Sequence, residues 1–206
     1  MKPVLLMIAG PNGSGKTTVT VTLRRDKWSE NVEYINPDDI AKEKFGDWNS
    51  LEAVLSAANW AETRRKELVM QKAGIAFETV FSAQDKVDFL QSTKAQGYFL
   101  RVFFVGTSSP EINAARVAKR IIKGGHGVPL DKIISRYEKS MVNLMAAMLI
   151  ADRVYIYDNS VDGQDALLCV RIQDKKIRKI YAALPEWVVS SIKLLEYHPE
   201  FEDLRP

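Results

Sequence analysis

The chain has 206 residues with a formal net charge of +3, 46% hydrophobic and 27% charged residues, the proportions of an ordinary folded protein able to bury a sizeable core. So small a net charge gives no case for nucleic acid as a partner, and no apolar stretch approaches the length of a membrane span. The single cysteine, Cys169, excludes an intramolecular disulfide and suits a reducing compartment.

Lys2 and the run Val4–Ala9 resemble the start of a signal peptide, but the run is too short and leads straight into a glycine loop. The expected location is the cytoplasm. Val4–Ala9 instead has the length and composition of a buried strand. Gly10 to Thr17 fits the phosphate-loop pattern G-x-x-x-x-G-K-S/T, and Val19 and Leu23 follow at helical spacing. Strand, glycine loop and helix is the order this motif requires. The residues expected to hold the nucleotide are Gly10, Pro11, Asn12, Gly13, Ser14, Gly15, Lys16, Thr17 and Thr18. Backbone amides and the helix dipole favour phosphate there. Lys16 is expected to reach the β and γ phosphates and the Thr17 hydroxyl to meet Mg²⁺.

Val32–Ile35 is the next strand, and Pro37 can start a helix with Asp38 and Asp39 in its first turn. Asp38 there either meets a substrate hydroxyl or simply favours the helix N-terminus. Leu51 to about Lys72 is a long helix, with Leu51, Val54, Leu55, Ala58, Ala61, Leu68 and Val69 as its apolar stripe and Arg64, Arg65 and Lys66 as a solvated face. Gly74 is expected to end it. Residues 75–80 form a third strand carrying Glu78, a carboxylate that must be paired or functional if buried. A helix over residues 83–96 closes at Gly97.

Tyr98–Val105 is almost continuously apolar, as a central parallel strand should be. Ser109 and Pro110 open a helix running to about Lys123. Gly124 to Pro129 breaks it, and a second helix covers Leu130–Ile150. These two basic helices, carrying Arg116, Lys119, Arg120, Lys132, Arg136 and Lys139, read either as a solvated face or as a lid whose arginines reach phosphates. His126, in the break, lacks a second ligand at a useful spacing for a metal. Arg153–Tyr157 is a fifth strand, and the turn Asp158–Ser160 is a candidate neighbour of an adenine. Residues 166–172 and 175–181 form a hairpin, residues 185–196 a last helix, and the polar tail after His198 is loose.

The alternation of strands and helices argues an α/β fold with a parallel sheet. The expected architecture is a phosphate-loop, kinase-like three-layer fold with about five parallel strands and a C-terminal antiparallel hairpin. It is read as one domain, 1–206, with a lid over about 110–150.

Taken together, the motifs resemble the zeta-toxin family of phosphate-loop kinases, in its small members. The resemblance rests on Ala-Gly-Pro-Asn-Gly-Ser-Gly-Lys-Thr-Thr at 9–18, Asn-Pro-Asp at 36–38 and Phe-Glu-Thr at 77–79. It also rests on Arg-Val-Ala-Lys-Arg at 116–120 and Gly-Gly-His-Gly-Val-Pro at 124–129, followed by Arg136-Tyr137. It implies transfer of the ATP γ-phosphate to a hydroxyl, which in the toxins belongs to UDP-N-acetylglucosamine. By the same resemblance Lys16 and Thr17 match the ATP and Mg²⁺ positions, Asp38 the base, and Glu78 the acidic substrate-binding residue, with Thr79 and Arg116 beside the substrate. Arg120 and Arg136 match the lid arginines, Arg116 competing for the first of these places. An antitoxin protein is the partner the family implies, alongside a small-molecule substrate. The chain departs from the toxins at Val80, where they have threonine, and in its longer glycine-histidine turn. The alternative function is a nucleotide-gated NTPase switch acting through a protein partner. It would need a residue to position hydrolytic water, and none stands out.

Overall fold

The computed structural model describes residues 2–24, 31–45, 50–125 and 127–196. The expectations for His126 and for the tail after His198 lie outside these. In chain order the elements are β1 Val4–Ala9, α1 Lys16–Leu23, β2 Val32–Ile35, α2 Pro37–Lys44, α3 Leu51–Met70, β3 Gly74–Thr79 and α4 Gln84–Ala95. They continue with β4 Phe99–Gly106, α5 Pro110–Ile122, α6 Leu130–Ile150, β5 Arg153–Asp158, β6 Leu167–Gln173, β7 Lys176–Ile180 and α7 Glu186–Glu196.

The strands form one sheet in the order β2-β3-β1-β4-β5-β6-β7. β1 to β5 pair in parallel, and β6 and β7 add an antiparallel edge. The hairpin turns through Asp174 and Lys175, both at positive φ (53° and 62°), the twist a tight hairpin prefers.

The central strands are apolar along their length because both faces are covered. Leu5, Met7, Phe77, Leu100, Val102, Phe104, Val154 and Ile156 belong to the main core, with side chains from α3, α4, α6 and α7. Leu6, Ile8, Ala76, Phe103 and Tyr155 form a smaller cluster with Leu23 of α1 packed against it. Leu144, Ala147 and Met148 are fully buried, so the C-terminal part of α6 belongs to the core.

Three local expectations are corrected. In α3 the buried positions are Ala53, Ala57, Ala61, Arg65, Leu68 and Val69, whereas Leu51 and Leu55 are exposed. Ala61, Leu68 and Val69 of the expected stripe are buried, but in its N-terminal half small side chains spaced four apart, Ala53 and Ala57, define the inward face where α3 meets α2 and β3, in place of Leu51, Leu55 and Ala58. Arg65 therefore leaves the solvated face. Its guanidinium lies 5.1 Å from the Phe77 ring centre. Arg64 is paired too, to Glu33 at 2.7 Å and Glu67 at 2.9 Å. Third, α3 ends at Met70 with Lys72 in the left-handed region (φ 57°). Ala73 N–H donates to Leu68 O and Lys72 N–H to Val69 O, the paired closing bonds usually built on glycine. Gly74 instead begins β3, where a Cβ would meet Asn31 O at 2.4 Å.

Strand order reverses around β1, between β3 and β4, so a crevice opens at the carboxyl ends of these strands. The registers Ile35↔Phe77 and Ala9↔Thr79 bring the ends of β2, β3 and β1 level. The start of α2, Glu78 and the glycine loop thus share one edge.

Candidate active site

The loop between β1 and α1 is packed so closely that three of its positions leave no room for a Cβ. A Cβ on Gly10 would lie 2.1 Å from Val105 O, one on Gly13 2.6 Å from Asn113 O, and one on Gly15 2.2 Å from Asn159 Nδ2. All three glycines also have positive φ, at 145°, 78° and 90°. Two asparagines brace the loop from elements far away in sequence. Asn113 Nδ2 donates to Asn12 O at 2.6 Å, while its Oδ1 accepts from the Thr107 hydroxyl. Asn159 Nδ2 donates to Ser14 O at 2.8 Å. The turn after β5 therefore touches the loop. The Ser14 hydroxyl is buried and has no hydrogen-bond partner among the described residues.

Lys16 bends back over the loop and donates to Gly10 O at 2.8 Å and Pro11 O at 3.0 Å. Burial pushes its pKa down to about 8, and the Arg120 charge adds to this, against the opposite pull of Glu78 and Asp38. Thr17 Oγ1 donates to Glu78 Oε2 at 3.3 Å, and Tyr34 OH donates to Glu78 Oε1 at 2.8 Å. The Glu78 carboxylate is thus satisfied from both sides, which answers the anomaly of an acid at a strand end. Burial, then the nearby Glu78 charge, raises the Tyr34 pKa, so the phenol stays a donor. Tyr34 gave no sequence signal, because a tyrosine in a short strand is ordinary.

Asn36 caps α2 by accepting from Asp38 N–H at 3.0 Å, with Pro37 in the first turn. The Asp38 carboxylate is exposed and has no hydrogen-bond or ion-pair partner among the described residues. It lines a cleft of about 740 Å³ together with Asn12, Lys16, Thr17, Glu78, Thr79, Arg116, Arg120 and Arg136, whereas Asp39 does not. That volume suits a small-molecule site.

The basic helices meet the cleft through different contacts. Arg136 Nη1 donates to Asn12 Oδ1 at 3.4 Å. Arg120 has no side-chain partner among the described residues. Gly124, in the left-handed region, closes α5 as Gly124 N–H bonds Ile121 O and Gly125 N–H bonds Arg120 O. A Cβ on Gly125 would meet Arg120 Cγ at 2.6 Å, so the glycine pair seats the Arg120 stem. Arg116 is committed elsewhere, to Asp162 Oδ1 at 3.0 Å and Asn159 O at 2.7 Å. Thr79 Oγ1 accepts from Phe81 N–H at 3.1 Å and holds Phe81 at φ 59°. Its hydroxyl oxygen is therefore already engaged within its own loop.

A glycine loop at the carboxyl end of β1, its lysine, and acids and arginines around one cleft define the phosphate-loop kinase class. The sequence profile of the zeta toxin family matches residues 1–166, and the chain belongs to that family. A Haemophilus influenzae protein described only as uncharacterized is 25% identical over 137 residues, 66% of this chain and 94% of its own. Among solved structures, the AvrRxo1-ORF1:AvrRxo1-ORF2 complex superposes with a TM-score of 0.65 at 17% identity, covering 94% of this chain and 64% of that one. The same pair crystallised with ATP gives 0.64 at 16% identity, over 86% of this chain and 60% of that one. The PezAT chromosomal toxin-antitoxin system of Streptococcus pneumoniae gives 0.55 at 16%, over 95% and 85%. At these identities the superpositions speak to the fold, and this chain spans less than two thirds of the two AvrRxo1 chains just compared. Among the described residues no helix is long and apolar enough to cross a membrane, and no group of three metal-ligating side chains is gathered.

Proposed function

We propose that this protein is an ATP-dependent kinase that transfers the γ-phosphate to a hydroxyl of a small acceptor, with a UDP-activated amino sugar such as UDP-N-acetylglucosamine as first candidate. The observation that carries this reading is the Asp38 carboxylate, which has no hydrogen-bond or ion-pair partner among the described residues and lines the same cleft as Lys16 and the phosphate loop. Transfer to an alcohol needs a proton acceptor beside the phosphates, the role this carboxylate fits.

Lys16 and the loop amides hold the β and γ phosphates. The cradle that Cβ atoms would fill and the orphaned Ser14 hydroxyl both fit a bound phosphate chain. Thr17, with Glu78 beside it, is the residue that would hold Mg²⁺, an oxygen-seeking ion that neutralises phosphate charge when bound. Asp38 accepts the acceptor's proton as its oxygen attacks the γ-phosphorus. The bond from that phosphorus to the bridging oxygen breaks, and ADP leaves. Arg120 and Arg136 stabilise the charge spread over the moving phosphoryl group. Arg120 fits this role better than Arg116, because its field reaches Lys16 while Arg116 is tied to Asp162. Glu78 and the loop at Thr79 face the acceptor. The toxin-antitoxin pairing of the PezAT relative extends the reading to an antitoxin-like protein partner.

The test is a mass-spectrometric screen of hydroxyl acceptors with ATP, repeated with two substitutions. Asp38→Asn should keep ATP binding and thermal stability but lower transfer by roughly 10²-fold, the scale of a lost general base. Asp39→Asn should do far less. Equal activity of the two variants would remove Asp38 as the base.

A further inference from the structure

The cleft extends beyond the phosphate loop, between α3 and the start of α4, where Asn59, Glu62, Arg65, Ser82 and Lys86 line it. Arg65 is the unusual member. Only 7% of its surface is exposed, yet its guanidinium has no hydrogen bond or ion pair with any described residue. Its one close partner among the described residues is the face of Phe77, at 5.1 Å. Two carboxylates lie near enough to act on it through space, but each is engaged by another cation. Glu62 is bound to Lys66 at 2.6 Å, and Asp85 to Lys86. Burial lowers the pKa of Arg65, with Glu62 and Asp85 pulling the other way. The Arg65 nitrogens are not among the fully buried polar atoms and so keep contact with the cleft. A guanidinium this largely desolvated, with no contact anion among the described residues, is nevertheless costly, and an aromatic face offsets only part of that cost.

We infer that Arg65 is a specificity-determining residue of the acceptor half of the cleft, where it receives a phosphate or phosphoanhydride group carried by the acceptor. This rests on the kinase reading above. Arginine suits the position because its planar fork pairs two phosphate oxygens and its charge survives burial. Lys86, at the start of α4 and paired with Asp85, lines the same part of the cleft. The acceptor would thus be gripped at a charged end by Arg65 while its hydroxyl is presented to Asp38. A neutral acceptor would leave the buried guanidinium without a counter-charge.

The experiment saturates the phosphate loop with a non-hydrolysable ATP analogue and Mg²⁺, then titrates inorganic phosphate or inorganic pyrophosphate by calorimetry. Wild-type protein should bind one of them. The stronger ligand tells whether a single phosphate or a phosphoanhydride is the group read. Arg65→Met keeps the bulk against Phe77 and should weaken that binding by roughly tenfold or more, the scale of a lost charged hydrogen bond. Arg65→Lys should fall between the two. The melting temperature of Arg65→Met should hold or rise, because the substitution removes a buried charge. A merely structural arginine would give the reverse: a lower melting temperature with unchanged anion affinity. That result, or a loaded wild type that binds neither anion, overturns the assignment. A wild type that fails to take the ATP analogue sinks the kinase reading and this inference with it. Analogue binding combined with Arg65-independent anion binding sinks this inference alone.

Discussion

Raising the pH should weaken ATP binding through one residue, Lys16. In the free protein its pKa lies at about 8 rather than near the ordinary 10.5, mainly because the ammonium is buried. Bound phosphates would restore the charged form, so the complex holds the proton more tightly than the free protein does. Below about pH 8 the lysine is charged in both states and contributes no slope. Above it, binding must take up a proton, and affinity should fall by up to tenfold per pH unit. Restoring the ordinary pKa is worth about 3 kcal/mol, which is the most this group can withdraw from binding. Calorimetry with a non-hydrolysable analogue and Mg²⁺ at about pH 7 and about pH 9 should show roughly a tenfold loss. Repeating it in two buffers of different ionisation heat should show proton uptake only at the higher pH. Lys16→Arg, charged at both values, should lose the slope. The same pH profile in wild type and Lys16→Arg, or proton release on binding, would refute the reasoning.

Three further outcomes can be checked. Arg120→Ala and Arg136→Ala should each lower turnover by about 10²-fold with little change in ATP affinity. Arg116→Ala should instead lower the melting temperature, since it gives up Asn159 O and Asp162; steady-state kinetics beside thermal scans separate the cases. Gly15→Ala forces a left-handed alanine against Asn159 Nδ2, 2.2 Å from the new Cβ. Breaking the Asn159–Ser14 bond as well should cost about 2–4 kcal/mol, read by denaturant unfolding.

Much of the site was legible because its signals are local. The glycine loop, the helix start at Pro37, and the stops at Gly97 and Gly124 each depend on a few neighbouring residues and their backbone torsions. The same holds for the continuous apolar strands, whose run lengths forecast a parallel sheet. The rotation of α3 was legible in its C-terminal half, where Ala61, Leu68 and Val69 are buried as expected, and not in its N-terminal half. Its inward face is set by how closely it approaches α2 and β3, and Ala53, Ala57 and Ala61 allow that approach while Leu51 and Leu55 stay outside.

The sequence by itself determined the phosphate loop, the order of strands and helices, and the family, because these lie in contiguous motifs whose chemistry acts over short separations. Only the tertiary structure decided which distant side chains share the loop's surroundings. Asn113 and Asn159 brace it, Tyr34 and Thr17 satisfy Glu78, Asp162 draws Arg116 aside, and Arg65 turns inward over Phe77. None of these pairings has a spacing rule, since each depends on strand register and helix rotation. Those are fixed by packing across the whole sheet rather than by the residues that meet.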